Sequence, residues 1–299
     1  MTRGDAFGRR IGEQLGVEVH AMRRVSGGDV AEACRAELAD GRTVFAKTHT
    51  DPPPQFFSTE AAGLSWLADA AAEAATTASG PFGLAVARVL AVADDLLVLA
   101  WIDEGSPGVT TEADFGRALA QLHRVGAPTF GRSDRRTTGS RALPNEPMST
   151  WAAFYARNRL EPLAGLARDG DALSASAVRR LVRVADRLDE VGAADEPPAL
   201  LHGDLWAGNR LIDRRGVSWL IDPAAHGGHR EFDLAMMSLF GGFGDECWRA
   251  YDDEFPLTDG WRDRVPLHQL APLVVHAIKF GGGYAAAVGR ALDACERLR

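Results

Sequence analysis

The 299-residue chain is poor in cysteine. Its three thiols, Cys34, Cys247 and Cys295, stand far apart with no paired spacing. That excludes a disulfide-stapled scaffold, offers no zinc motif and fits a reducing compartment. Positive charge is also short: Lys+Arg is 33 against Asp+Glu 41, a net charge of -8. A net acid repels phosphate at long range, so general binding to nucleic acid or to an anionic membrane is not expected. A local basic pocket remains compatible with it. No long uninterrupted apolar run is present. The longest stretch, Leu84 to Ile102, is broken by Arg88, Asp94 and Asp95 and reads as two strands and a turn. Met1 to Gly16 carries Arg3, Asp5, Arg9, Arg10 and Glu13 and has no apolar core of signal-peptide length. A cytoplasmic location is the expectation.

What is present is ordinary for a globular protein, 46% hydrophobic and 25% charged. At about 150 residues per domain the length suggests two lobes. The first hundred residues read as sheet plus one helix. Val17 to Val25, Val30 to Leu38 and Thr43 to Thr48 are strand candidates, and Asp40-Gly41 is a two-residue hairpin signal between the last two. Ser58 or Thr59 is expected to cap a helix running to about Ala72, with Glu60, Leu64, Leu67 and Ala71 on one face. Ala70 to Ala78 reads as a surface helix end plus loop. Ala85 to Ala91 and Leu96 to Ile102 complete the sheet, and Asp103 to Gly108 reads as a hinge. The rest is mostly helical: Glu112 to Val125, Trp151 to Arg168, Ala175 to Val191, and from Asp233 onward. Phe130 to Pro147 is irregular, and Leu220-Ile221 is a short apolar strand. The expected division is an N-lobe over 1–103 and a C-lobe over 104–299.

The chemistry concentrates in His202-Gly203-Asp204-Leu205-Trp206-Ala207-Gly208-Asn209 and in Ile221-Asp222-Pro223-Ala224. Phosphoryl transfer needs one carboxylate to take or orient the attacking hydroxyl's proton. It also needs an amide oxygen and a second carboxylate to hold Mg²⁺ against nucleotide phosphates. Asp204 fits the first role, Asn209 and Asp222 the second. Either segment alone also fits a surface loop; both together, in this order, point to kinase-like chemistry.

The N-terminal half supplies matching parts. Strand alternation puts Phe45 and Lys47 on one face. A lysine on that face calls for nucleotide phosphates and a carboxylate, and Glu60 is the natural partner. A solvated edge lysine and a helix-dipole glutamate are the plainer readings of the same two residues. Gly27 and Gly28 stand where backbone N–H groups would cover phosphates. Leu99, Trp101 and Ile102 end the strand before the hinge, where adenine would take backbone hydrogen bonds.

These residues resemble the fructosamine/ketosamine 3-kinase family, relatives of the aminoglycoside and choline phosphotransferases. The resemblance spans most of the chain: His202 to Asn209, Asp222 to Ala224, Gly228 to Phe243, Phe154 to Leu160 and Phe280 to Tyr284. Trp206 is its discriminating residue. The resemblance implies an α+β, bilobal protein-kinase-like fold, with an antiparallel N-lobe sheet, one main N-lobe helix and a mostly helical C-lobe. It implies ATP and Mg²⁺, and transfer of phosphate to the 3-hydroxyl of a small or protein-bound ketosamine, whose adduct then decomposes to free the amine. By position, Asp204 is the base, Asn209 and Asp222 the metal ligands, and Lys47 and Glu60 the phosphate-positioning pair. Trp206 would lie beside the sugar, and His276 occupies a substrate-side position. Two residues depart from the family pattern: Asp29 where a thiol or hydroxyl is common, and Leu143 where Gln is common.

An aminoglycoside or other small-molecule phosphotransferase is the alternative enzyme. A polycationic antibiotic would need several carboxylates at the cleft, and near the motif only Glu231 and Asp233 are candidates, with Arg230 beside them. A pseudokinase would have lost Lys47, Asp204, Asn209 or Asp222, and none is lost.

Overall fold

The structure, a computed structural model, describes residues 3–25, 31–78, 80, 82–138, 142–191 and 195–298. Helix α1 (Arg3–Leu15) comes first. A five-stranded antiparallel sheet follows, built from β1 (Val19–Arg24), β2 (Glu32–Leu38), β3 (Thr43–Thr48), β5 (Val89–Ala93) and β6 (Leu96–Ala100) in the order β1-β2-β3-β6-β5. Gly41 turns the β2–β3 hairpin with φ of 85°. Alternation along β3 decides the two faces. Val44 and Ala46 join Ile11, Cys34 and Val98 in a core under α1, whose Phe7, Ile11 and Leu15 recur at helical spacing. Phe45, Lys47 and Leu99 take the opposite face and line the cleft. One helix is expected in this region and the structure adds a second, α1, whose apolar spacing is its signal in the sequence.

Helix α2 (Phe56–Thr77) crosses the cleft side of the sheet. It starts earlier than Ser58 or Thr59. Its cap residue is Gln55, in the left-handed region at φ 62° and without a side-chain cap bond; Ser58 Oγ instead donates to the Gln55 carbonyl. It ends later than Ala72, at Thr77: Ala70, Ala71 and Ala74 are buried against the core while Ala72, Glu73 and Ala75 to Thr77 are exposed, so the stretch is a surface helix end with one buried face. The expected strand from Ala85 to Ala91 divides. β4 (Leu84–Val86) leaves the main sheet and pairs in parallel with β11 (Ser218–Leu220), and β10 (Arg210–Ile212) completes that three-stranded sheet. The stretch read as a hinge is fastened where Gly105 N–H donates to the Ile212 carbonyl at 2.8 Å. A Cβ on Gly105 would lie 2.6 Å from the Arg214 Cα, which is why glycine stands there.

The remainder is helical. Helix α3 (Thr111–Val125) packs against α9 (Asp245–Glu254). A short hairpin, β7 (Thr137–Thr138) and β8 (Leu143–Pro144), lies within the segment read as irregular. Helix α4 (Trp151–Tyr155) continues through a π-helical turn (Ala156–Leu160) into α5 (Glu161–Asp169). Then come α6 (Ala175–Asp186), α7 (Leu188–Val191), and the β9 (Ala199–Leu201) and β12 (His226–Gly228) pair. Helices α8 (Glu231–Phe240), α10 (Trp261–Phe280) and α11 (Gly283–Cys295) close the fold. Pro272 inside α10 cannot donate to the His268 carbonyl. The buried Tyr155 hydroxyl donates there instead, at 3.0 Å, fixing the entry to the π-helical turn.

Glu231 ties α8 to α10. Arg264 donates to both carboxylate oxygens, Nε at 2.9 Å and Nη2 at 2.5 Å, and His268 Nε2 lies 3.3 Å away. Burial alone would raise this carboxyl, but the hydrogen bonds from His268 and Arg264 outweigh it and hold it down at about 2. A lowered folded value contributes stability above the unfolded carboxylate range and loses it as pH falls toward about 2. Glu231→Gln should therefore cost about 3 kcal/mol at neutral pH, and progressively less as pH drops below about 4. Denaturant titrations at pH 7 and pH 3 check this; an equal loss at both would contradict it.

Candidate active site

The cleft encloses about 1150 Å³. It is lined from both halves by Lys47, Glu60, Asp204, Asn209 and Asp222. Lys47, 8% exposed, sits between two carboxylates, 2.7 Å from Glu60 Oε2 and 2.9 Å from Asp222 Oδ1. Burial alone would lower its ammonium, but the charges of Glu60 and Asp222 outweigh it and hold it above its ordinary value. The expected Lys47–Glu60 pair is thus formed. Asp222 joins it from 175 residues downstream.

The loop from His202 to Asn209 is held by groups with fixed roles. His202 Nδ1 accepts the Asp204 N–H at 3.2 Å and its Nε2 faces the Ile221 carbonyl at 2.9 Å, so the proton is on Nε2. Burial lowers its pKa and keeps the ring neutral. The Ala224 N–H donates to the His202 carbonyl at 2.9 Å, and the Ile221 N–H to the Asn209 carbonyl at 3.1 Å. These bonds set Asp204, Asn209 and Asp222 in one fixed frame. Asn209 Nδ2 donates to the Asp204 carbonyl at 2.8 Å and to its Oδ2 at 3.1 Å, which leaves the amide oxygen for another partner. Burial and the charges of Asp222 and Asp233 push the Asp204 carboxyl up to about 7, against the hydrogen bond from Asn209. Asp222 itself holds φ of 52°, a left-handed conformation uncommon outside glycine and associated with functional sites.

Sequence reading missed the buttress under this loop. Asp233 is fully buried and accepts the N–H of His202 at 2.7 Å and of Gly203 at 2.9 Å. His123, whose Nδ1 lies 2.8 Å from the Tyr251 hydroxyl, places Nε2 3.3 Å from the same carboxylate. Asp233 and Glu231 are therefore spent inside the protein, and neither is a carboxylate for a cationic substrate.

Trp206 and His276 also reach the cleft. Trp206 is 39% exposed, and its indole lies over Gly208, where an added Cβ would be 2.2 Å from the ring. Its ring centroid is 5.8 Å from that of Phe240, which lies 5.3 Å from His276. His276 Nδ1 is 2.7 Å from the Pro272 carbonyl. On the other side, Leu99 and Ile102 line the cleft with Phe45, Leu211 and Ile221. Leu99 is paired on both sides in the sheet, so its backbone is engaged in the ladder. Trp101 also lines the cleft, and its N–H donates to Thr43 at 3.4 Å. The Leu99 backbone and the Trp101 N–H are thus engaged in the sheet, and the apolar side chains line the slot. Gly27, Gly28 and Asp29 lie outside the described residues. Leu143 opens β8 and lines the cleft. Cys34 is buried in the sheet core, and burial pushes its thiol up to about 11, a protonated and unreactive state.

Hard oxygen donors at Asn209 and Asp222, a buried ammonium beside them and an apolar slot under the sheet suit Mg²⁺ and a nucleotide. Fold and site together define a kinase-like phosphotransferase, a class that uses ATP. The chain belongs to the fructosamine kinase family, whose model matches residues 6–297. It is similar to a probable ketoamine kinase of Enterococcus faecium, 34% identical over 90% of this chain and 93% of the relative. It is similar to the chloroplastic protein-ribulosamine 3-kinase of Arabidopsis thaliana, 31% identical over 96% of this chain and 86% of the relative. A crystal structure from Thermobifida fusca assigned as a fructosamine-3-kinase superposes with a TM-score of 0.86 at 39% identity, covering 98% of this chain and 99% of that one. A pneumococcal choline kinase, at 14% identity and a TM-score of 0.64 over 98% of both chains, shares the fold alone. Among the described residues no helix is long and apolar enough to cross a membrane.

Proposed function

We propose that this enzyme phosphorylates the 3-hydroxyl of fructosamine- or ribulosamine-type ketosamines with ATP, so that the amine is freed when the adduct decomposes. A cytoplasmic repair role and a division into lobes near residue 103 belong to the same reading. The observation that carries it is the fixed frame of Asp204, Asn209 and Asp222 with exposed Trp206 two residues from the base.

Asp204 takes the proton of the acceptor hydroxyl as that oxygen attacks phosphorus. Asn209, through its amide oxygen, and Asp222 would hold Mg²⁺, which supplies charge neutralisation of the phosphates. Lys47 leaves its contact with Asp222 to reach a phosphate oxygen while Glu60 keeps it in place. Leu99 and Ile102 provide an apolar wall for the base of the nucleotide. Trp206 provides a flat apolar wall for the C–H face of a sugar, and His276 a polar edge.

Antibiotic phosphorylation is disfavoured by the same residues, since Glu231 and Asp233 point into the fold. Side-by-side ATP consumption with a ribulosamine, a fructosamine and kanamycin tests the reading. Turnover of a ketosamine with little or none of kanamycin is expected. Trp206→Ala should raise KM or lower kcat for the ketosamine about tenfold, from the lost burial of an aromatic wall, with ATP affinity near wild type. Efficient kanamycin turnover without ketosamine turnover would overturn the substrate assignment.

A further inference from the structure

Among the described residues, four arginines are buried. Three of them have carboxylate partners: Arg132 pairs with Asp134, Arg210 with Glu112 and Arg230 with Glu196. Arg159, 4% exposed, does not. Its Nη1 donates to the carbonyls of Pro144 and Asn158, the latter at 2.9 Å, and its Nη2 donates to Asn145 Oδ1 at 2.8 Å. The guanidinium carbon lies 4.7 Å from the centre of the Phe154 ring. Every one of these partners is neutral, and among the described residues no carboxylate is within ion-pair distance. Burial pushes Arg159 down to about 9, so it is still charged at neutral pH. A buried charge without a counter-ion is expensive, and the other three arginines show how this fold ordinarily offsets it.

The position of Arg159 is equally specific. It sits in the π-helical turn (Ala156–Leu160) between α4 and α5. Such turns weaken a helix and concentrate at functional sites. Although buried, Arg159 lines the cleft, together with Thr138, Leu143 and His226. His226 Nδ1 lies 2.8 Å from the Ala224 carbonyl, which places the proton on Nδ1 and leaves Nε2 an acceptor with no partner among the described residues. Asn145 Nδ2 is a second buried group without a partner among the described residues. This wall is close to the chemistry. A Cβ on Gly203, next to Asp204, would lie 3.1 Å from His226 Nδ1.

We infer that Arg159 is a specificity-determining residue that pairs with a negative charge on the acceptor, so that the preferred ketosamine is anionic. This rests on the ketosamine reading above. The anionic group is either the carboxylate of a glycated free amino acid or a phosphate at the far end of the sugar. Both offer paired oxygens to a planar guanidinium. Either would supply the counter-ion that the fold withholds, and a sugar hydroxyl would complete His226 Nε2.

The test compares kcat/KM of the wild-type enzyme for N-ribulosyl-glycine, neutral N-ribulosyl-glycinamide and the 5-phosphate of the latter. One anionic acceptor should exceed the neutral amide about tenfold or more, the scale of a charge-assisted bidentate contact. A preference for the glycine adduct identifies a carboxylate, and one for the 5-phosphate a sugar phosphate. Arg159→Gln should bring that ratio to about one, and Arg159→Lys should keep part of it. A purely structural Arg159 would change all acceptors alike and leave the ratio unmoved. Equal turnover of all three by the wild type overturns the inference while leaving the ketosamine reading intact, and needs no variant to fold. Retention of the preference in Arg159→Gln also overturns it. Failure of all three acceptors would overturn the inference together with the ribulosamine reading on which it is tested.

Discussion

Asp204→Asn should lower kcat by about 10²- to 10⁴-fold, the range for loss of a general base. The substitution keeps the shape of the side chain, and the new amide oxygen can still accept from Asn209 Nδ2, now 3.1 Å from Asp204 Oδ2. The loop should stay in place, because its anchors are the His202 ring and the Asp233 carboxylate. ATP affinity should be close to wild type. Stability gives a second readout with a definite sign. Burial and two neighbouring carboxylates raise the Asp204 pKa to about 7. A raised folded value means that ionising the group above that pH costs stability, which is recovered as pH falls through it. The Asn variant should therefore melt no lower than wild type at pH 8. Steady-state kinetics and thermal melting check the pair of outcomes. Unchanged turnover would remove Asp204 from the role of base.

Asp222→Asn should abolish the Mg²⁺-dependent part of ATP binding and lower turnover by about 10³-fold or more, since metal-held charge neutralisation is worth several kcal/mol. Asn is the right replacement because it tolerates the left-handed backbone that Asp222 adopts, φ 52°. Ala would confound loss of charge with backbone strain. The neutral side chain also releases Lys47, which now lies 2.9 Å from Asp222 Oδ1, to Glu60 alone. Calorimetry of ATP with and without Mg²⁺ checks this. An equal Mg²⁺ effect in the variant and the wild type would contradict it.

The parts of the site legible in the sequence are those encoded by spacing within one segment. The five-residue interval from Asp204 to Asn209 fits in one loop, and alternation along Thr43–Thr48 places Lys47 on the cleft face. Glu60 follows from the helix stripe. What the sequence did not reveal depends on partners far apart in the chain. Asp233 supports Gly203 from 30 residues away, and His123 reaches Asp233 across 110. Read locally, Asp233 is a first-turn acid on a helix and looks available to a substrate. The same limit applies to the fold. Read locally, β4 belongs to the N-terminal sheet, because its true partner, β11, lies more than a hundred residues further on. The start of α2 escaped the capping pattern because Gln55 uses backbone geometry in place of a side-chain bond. The π-helical turn that carries Arg159 has no periodic signature of its own, since one inserted residue merely shifts the stripe.

The proposed function turns on which hydroxyl receives the phosphate. A ribulosamine or fructosamine labelled with ¹³C in the sugar should be incubated with the enzyme and ATP and followed by ¹³C and ³¹P NMR. A phosphate coupled to C3 is expected, followed by release of the free amine as that adduct decomposes. A phosphate on another hydroxyl with the amine still attached, or no ketosamine product while ATP is spent on an aminoglycoside, would contradict it.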